Sequence, residues 1–434
     1  MAFETVTVIG GGLAGSECAL ALAARGVPVR LVEMRPRTPS PAHATAGLAE
    51  LVCSNSFKST RFESAAGLLK LELARMGSSL LACAEEAAVP AGGALAVDRT
   101  RFSELVEARV KACPAIELVR AEALDIPEGR CVIAAGPLCS PALSEKIHAL
   151  VGGDALSFFD AAAPIVDAST IDRSVLFSQS RYGEEGAGDY LNAPFTKDEY
   201  DAFIDALVTA DRVVLHDFEK GGLFQACQPA EEVARTGHDA LRFGAMKPVG
   251  LTDPRTGRRP WAAIQLRAEN REGSAYNLVG FQTNLTFPEQ RRVFHMIPGL
   301  EQAEFFRYGV MHRNTYINSP KLLNHYYQVI SEPRLTFAGQ ITGVEGYVES
   351  AASGLVAAVE LAHRLKGLPP VDFPQETALG ALAHYVSNPT VVNFQPMNVN
   401  FGIIPPLGYK VKGKRNKNAA LSQRALDALA QLNL

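Results

Sequence analysis

No two cysteines in this chain stand in a CxxC spacing; the seven thiols are scattered and odd in number. That disfavours a disulfide framework, a zinc site and the redox pair of a flavin disulfide reductase. Reduced thiols and no metal site are expected, so any reactive cysteine has to be found one by one. The first 24 residues contain no Lys or Arg, and glycines interrupt the early apolar run at Gly10 to Gly12; a secretory signal is not expected. The longest uncharged stretch of note, Cys131 to Ser144, is too short and too rich in Gly and Pro to cross a bilayer. A cytoplasmic protein without a membrane partner is therefore expected. Internal repeats and long low-complexity tracts are also missing. With a net charge of −4, nothing draws nucleic acid to the molecule as a whole, and a polyanion would need local basic patches.

What is present is ordinary in bulk: 47% hydrophobic and 20% charged residues over 434 positions. That length exceeds the ~250–300 residues at which single cores stop growing, so two or three domains are expected. The most informative stretch is Val6 to Glu17, a β-branched run followed by Gly10, Gly11 and Gly12, then Leu13, Ala14 and Gly15 at the start of a helical pattern. It reads as strand, tight turn, helix. Gly10, Gly12 and Gly15 fill a GxGxxG pattern, which lets the backbone approach a pyrophosphate and aims helix N–H groups at its charge. A second strand, Val29 to Glu33, ends in a carboxylate 18 residues beyond Gly15, where a ribose hydroxyl would need an acceptor. Strand, turn, helix, strand and acid in register point to a bound dinucleotide; the alternative is a plain βαβ unit with Glu33 solvated.

Further along, residues 35–49 read as an irregular loop leading to Cys53, which stands among small polar residues rather than in an apolar stripe. It is either a loop thiol near a cofactor or substrate, or an inert one. Phe102, Leu105, Val106 and Val110 mark an amphipathic helix after Asp98, and Cys83 and Cys113 read as small hydrophobes. Ile116 to Val119 is a strand candidate. So is Cys131 to Pro137, a buried-type run stopping at Gly136, whose carboxyl end would approach the cofactor; Cys131 and Cys139 flank it and read as structural. Late in the chain, Arg334 to Gln340 reads as a strand ending in glycine, at Gly339, and Gly343 to Arg364 opens with Gly-Val-Glu-Gly, ending at Gly346, and continues as a helix containing Glu349 and Gly354. A second strand, glycine turn and helix is the arrangement of two-part flavin folds, which favours FAD over NAD as the tightly held cofactor. The tail ends in a short helix with Leu421, Ala425, Leu426, Leu429 and Leu432 on one face.

Charge is unevenly placed. Leu241 to Arg292 holds nine basic residues against four acidic ones, and the run Lys410, Lys412, Lys414, Arg415, Lys417 and Arg424 meets no acid until Asp427. Two basic clusters on an acidic chain suggest local steering of a large anion, although such an excess is more often only a solvated surface. Cys227 precedes Pro229 and a helix that begins Ala230-Glu231-Glu232. Backbone N–H groups at such an entry would lower a thiol pKa, and the two acids would oppose them.

Eight stretches together resemble one family: GGGLAGSE at 10–17, VEMRP at 32–36, ELVCSNS at 50–56, VPAGGALAVDR at 89–99, RFGAMKPVGL at 242–251, RYGVMHRNTYIN at 307–318, GVEGYVESAASG at 343–354 and QPMNVNFGIIPP at 395–406. The chain is similar, almost end to end, to the folate- and FAD-dependent tRNA uracil-5-methyltransferases, relatives of the larger glucose-inhibited division flavoproteins. The resemblance implies 5-methylation of a T-loop uridine, with 5,10-methylenetetrahydrofolate as carbon source, reduced FAD as electron source and NAD(P)H as a loosely bound reductant. It implies Cys227 as the nucleophile at uracil C6, Cys53 as a second catalytic thiol, His312 against the folate ring, and Lys410, Lys412, Lys414, Arg415 and Lys417 on tRNA phosphates. Gln225 and Ala226 stand before Cys227 where the family often shows Glu-Gly. The expected architecture is α/β: a discontinuous Rossmann-like FAD-binding domain from residues 1–155 and 325–434, with an inserted α/β domain over 156–324. Alternatives are modification of wobble uridine, as in the larger relatives, or a noncatalytic flavin-bearing RNA-binding module.

Overall fold

The computed structural model describes residues 3–40, 42–152, 155–161, 163–181, 188–213, 228–309, 311–391 and 394–432. Its first half-layer is a five-stranded parallel sheet in the order Leu335–Phe337, Cys131–Ile133, Val6–Ile9, Val29–Glu33 and Ile116–Arg120. Val6, Val8, Val29, Leu31 and the whole of Cys131–Ile133 are buried, as expected of parallel strands covered on both faces. The strand Val6–Ile9 lies at the centre, paired in parallel with both Val29–Glu33 and Cys131–Ile133, so every carboxyl end opens on the same side of the sheet.

Two helices cross over this sheet. Leu13–Ala24 is small or apolar at every position but Glu17 and is buried on nearly every side, the pattern of a helix packed between layers rather than on a surface. The second, Tyr347–Leu365, lies against it at near backbone contact: a Cβ on Gly354 would stand 2.2 Å from the Ala14 carbonyl oxygen. The chain's late return thus packs directly on its opening unit.

Between these two passages lies a different structure. Six antiparallel strands run in the order Phe177–Ser178, Tyr190–Phe195, Ala262–Ala268, Ala275–Leu278, Ile165–Asp167 and Phe305–Arg307. Helices Lys197–Thr209 and Phe287–Phe294 contribute to its separate core, where Phe195, Phe203, Phe281 and Phe294 form a chain of ring contacts. The strands leading in and out, Ala155–Ala161 and Met311–Ile317, pair antiparallel as a two-stranded ribbon. A small third sheet of Ser56–Ser59, Ala94–Val97 and Ala88–Val89 follows the Cys53 loop.

The expected helix after Asp98 is Arg99–Ala112, with the Asp98 side chain accepting the Arg101 N–H. The tail helix, Lys414–Leu429, is longer than its apolar stripe suggested because the basic run supplies its first turn; Leu421, Ala425, Leu426 and Leu429 are buried. Among the described residues no helix is long and apolar enough to cross a membrane, and no His, Cys, Asp and Glu cluster could hold a metal ion.

Candidate active site

A cleft opens at the carboxyl ends of the parallel strands, lined on one wall by Gly10, Gly12, Leu13 and Ala14. The turn is built on steric exclusion. Gly10 has φ +104, and a Cβ there would meet the Ala134 carbonyl oxygen at 2.4 Å; on Gly15 a Cβ would meet the Gly10 oxygen at 1.8 Å. Gly15 therefore seats the helix on the strand and does not line the cleft. Gly12, by contrast, faces open space and caps the helix without a side-chain hydrogen bond, which leaves its first N–H groups for a ligand.

Glu33 lines the cleft and is buried. Gly11 donates its N–H to Oε2 at 2.7 Å, and Arg35 donates its backbone N–H and its Nε to Oε1 at 3.0 and 2.8 Å. Burial raises the carboxyl pKa, but the Arg35 charge and these bonds outweigh it and hold the group below the usual range. A carboxylate has about four lone-pair positions, so acceptor capacity remains for a hydroxyl. Arg35 itself continues to Glu50 at 2.8 Å and to the Thr45 carbonyl, fixing a loop that lacks regular structure, as its sequence suggested.

Gly136, after the strand Cys131–Ile133, and Gly339, Gln340, Tyr347 and Ser350 from the second passage line the same cleft. Tyr347–Leu365 also begins at a glycine, Gly346, with no side-chain cap. Two uncapped helix N-termini thus converge on one space, an arrangement that fits a diphosphate and an electron-rich ring. Gly346 and Glu349 do not line it. Tyr347 and Ser350, three residues apart, share a helix face, and Glu349 lies about 200° round from Tyr347. Its carboxylate is buried, pairs with Lys58 at 2.9 Å and accepts the Val399 N–H.

Cys53 is half-buried in the cleft wall. The Tyr347 hydroxyl oxygen accepts the N–H groups of Cys53 and Ser54 at 2.9 and 3.2 Å and lies 3.1 Å from the Cys53 Sγ. Burial, then the charge of Cys53, push the Tyr347 hydroxyl well above the ordinary tyrosine range, so it stays protonated. The other thiols differ: Cys83 and Cys131 are buried, with pKa values pushed up by burial to about 11 and about 12. Cys18 is fully buried and raised for the same reason. Cys113 is half-buried against the main core. Cys139 lines the cleft, and burial raises it despite a Ser144 hydrogen bond.

Cys227 lies outside the described residues. His312 falls on the strand Met311–Ile317, paired in register with Asp160. Lys410, Lys412, Lys414, Arg415 and Lys417 are all exposed around the first turn of the tail helix, and Arg415 reaches Glu63 at 2.9 Å. The basic excess over 241–292 is partly internal. Arg242 stacks 3.9 Å from the Trp261 ring, Arg255 pairs with Asp253, Arg292 with Glu289, and Arg267 is buried against Asn55. Sequence reasoning passed over Tyr347 and Arg35, although each stands inside a glycine-turn or acid motif already singled out.

The profile of the glucose inhibited division protein A family matches residues 5–369. The chain belongs to this family. Within it, a protein of Heliobacterium modesticaldum named methylenetetrahydrofolate–tRNA-(uracil-5-)-methyltransferase TrmFO is 57% identical over 98% of this chain and 97% of its own length. A protein of the same name from Geobacter sulfurreducens is 56% identical over 98% of both chains. Among solved structures, GidA of Aquifex aeolicus superposes with a TM-score of 0.70 at 17% identity, covering 98% of this chain and 76% of that one. The family's Rossmann-like α/β fold is therefore the fold of this chain.

Proposed function

We propose that this family member transfers a one-carbon unit from 5,10-methylenetetrahydrofolate to C5 of a T-loop uridine in tRNA, forming 5-methyluridine in the cytoplasm, with FAD in the cleft and NAD(P)H as transient reductant. The observation that carries the reading is the meeting of a dinucleotide-type glycine turn and the Cys53 thiol in one cleft, in a chain more than half identical to proteins named for that activity. Residues 1–155 and 325–434 form the cofactor domain in this reading, and 156–324 the substrate side.

FAD fits the cleft on steric and electrostatic grounds. Gly12 and Gly136 leave open space where a Cβ would stand, and the N–H groups of Leu13 and Ala14 begin an uncapped helix. Gly10, Gly11 and Gly15 shape the turn, Glu33 accepts a ribose hydroxyl, and Gly339 and Gln340 supply the far wall, with Gly346 and Glu349 supporting it from behind. Bound there in reduced form, FAD supplies the two electrons that convert the transferred methylene to a methyl group.

The protein's own task is to make C5 nucleophilic. Uracil C5 carries little negative charge until a thiolate adds at C6, which pushes electrons onto O4 as an enolate. Cys227 is that nucleophile and leaves again when the product forms. Cys53 removes the C5 proton, and His312 packs on the folate ring. Lys410, Lys412, Lys414, Arg415 and Lys417 surround a helix N-terminus, where cations oppose the helix dipole; a polyanion relieves that cost, and these residues contact tRNA phosphates without reading sequence. The uridine leaves its stack to reach the thiols.

The test is direct. Purified flavoprotein is incubated with unmodified tRNA, methylenetetrahydrofolate and NADH or NADPH, and nucleosides are separated by mass. Ribothymidine at the T-loop is the expected product; none, with active flavin present, rejects the reading.

A further inference from the structure

The loop that carries Cys53 is pinned on both sides by arginine. Arg99 donates from Nη1 to the Leu51 carbonyl oxygen at 2.6 Å, two residues before the thiol, and Arg267 donates from Nε to the Asn55 side chain at 2.7 Å, two residues after it. A third guanidinium, Arg307, ends the strand Phe305–Arg307 close enough to feel the charges of Arg99, Glu269 and Cys53, and its Nε and Nη2 are buried with no hydrogen-bond partner. One carboxylate stands among them, Glu269, already bound through both oxygens by Arg99. Among the described residues, three cations thus stand against one anion beside the loop.

The hydroxyl above the sulfur adds a second, independent constraint. Because the Tyr347 oxygen already accepts two backbone N–H groups, the interaction left for it toward the Cys53 Sγ at 3.1 Å is to donate its proton. A sulfur that accepts a hydrogen bond beside an excess of positive charge is favoured as the anion. We propose that Cys53 rests as a thiolate, with Arg307 as the positioning residue that supplies the counter-charge and Tyr347 as the hydrogen-bond donor.

The charges around Arg307 agree with this placement. Burial draws its guanidinium below the usual arginine range, Arg99 adds to that, and Glu269, Tyr347 and Cys53 oppose it. Among the described residues nearby, Lys58 is engaged with Glu349, and Glu50 with Arg35. His43 contacts the Ser40 hydroxyl through Nδ1 at 2.5 Å. What the thiolate is used for rests on the proposed methyl transfer, in which it takes the C5 proton; the ionisation itself does not depend on that reading.

The experiment needs neither tRNA nor folate. The flavin-loaded protein is alkylated with iodoacetamide across pH 5 to 10, a range of about five units that brackets the ordinary thiol value, and the Cys53 peptide is quantified by mass spectrometry. The wild-type rate is expected to titrate with a midpoint below ~8.5. Arg307→Met raises that midpoint by about one to three pH units, Tyr347→Phe also raises it, and Arg307→Lys restores much of the wild-type profile. Arg307→Gln carries the same test if Arg307→Met does not fold. A wild-type midpoint at or above the ordinary thiol value, or superimposable profiles for wild type and the neutral Arg307 variant, overturns the proposal. Either result leaves the ribothymidine assay to decide methyl transfer separately.

Discussion

The cleft has two glycine turns, and they do different work. At Gly10–Gly15 recognition is by backbone: the wall is Gly10, Gly12, Leu13 and Ala14, and the acidic side chain beside it, Glu33, is already held by Gly11 and Arg35. The turn from Gly339 to Tyr347 presents side chains instead: Gln340, Tyr347 and Ser350 on the cleft side, with Tyr347 touching the Cys53 sulfur. Both helices start without a side-chain cap, so both offer N–H groups to an anion. The difference teaches that one turn is shaped to hold a ligand and the other to hold a ligand beside a reactive group. Binding and chemistry should therefore separate under mutation.

The largest separation is expected at Cys53. Replacing it by Ala removes the proposed proton acceptor and should lower methyl transfer by about 10²–10⁴-fold, the usual range for losing a general base, while flavin content and absorbance remain those of wild type. Loss of flavin in Cys53→Ala would put the thiol in the binding wall and erase the distinction. Next comes the reverse case, Gly15→Ala. The added Cβ would stand 1.8 Å from the Gly10 oxygen, so strand and helix must part, at a cost of about 1–3 kcal/mol for overpacking. A protein that purifies largely without flavin and melts several degrees lower is expected, whereas retained flavin would mean that the turn tolerates the shift.

These two positions were not equally legible beforehand. The Gly10–Gly15 turn is local, so six consecutive residues declare both the backbone path and the role. Its partner acid, Glu33, is only one strand away and follows from the same unit. Contact between Cys53 and Tyr347 spans 294 residues, and no periodicity in either segment foretells it; composition alone left Cys53 balanced between inert and functional. Arg99, Arg267 and Arg307 come from three separate elements, and of the three only Arg267 falls in a charge run, which read as a surface for a large anion. Glu349 illustrates a different difficulty. The motif identified the helix, but the phase of the helix decides which side chains face the cleft, and that phase is set by packing of Gly354 on Ala14. The longer tail helix has the same kind of cause, since a basic run carries no apolar stripe to mark its first turn.

Smaller effects should sharpen the contrast within the binding turn. In Glu33→Gln the Gly11 N–H keeps an acceptor, but the ion pair with Arg35 is lost; one weakened charge-assisted contact of about 1.5–3 kcal/mol predicts a roughly tenfold or greater loss of flavin affinity by equilibrium titration. The Cys53 alkylation profile should not move, because Glu33 belongs to the other turn.

The smallest effect is the pH dependence of that same substitution. Glu33 is held below the usual carboxyl range in the folded protein, so its ionised form is the one that folding favours. The stabilisation is complete above the unfolded value of ~4.3 and is lost as pH falls through the lower folded value. The melting temperatures of wild type and Glu33→Gln should therefore differ by a constant amount from about pH 5 upward and converge only below ~4.3. A gap that instead widens on acidification would mean that Glu33 is protonated in the fold, and the turn would then lack the anion on which its ribose contact depends.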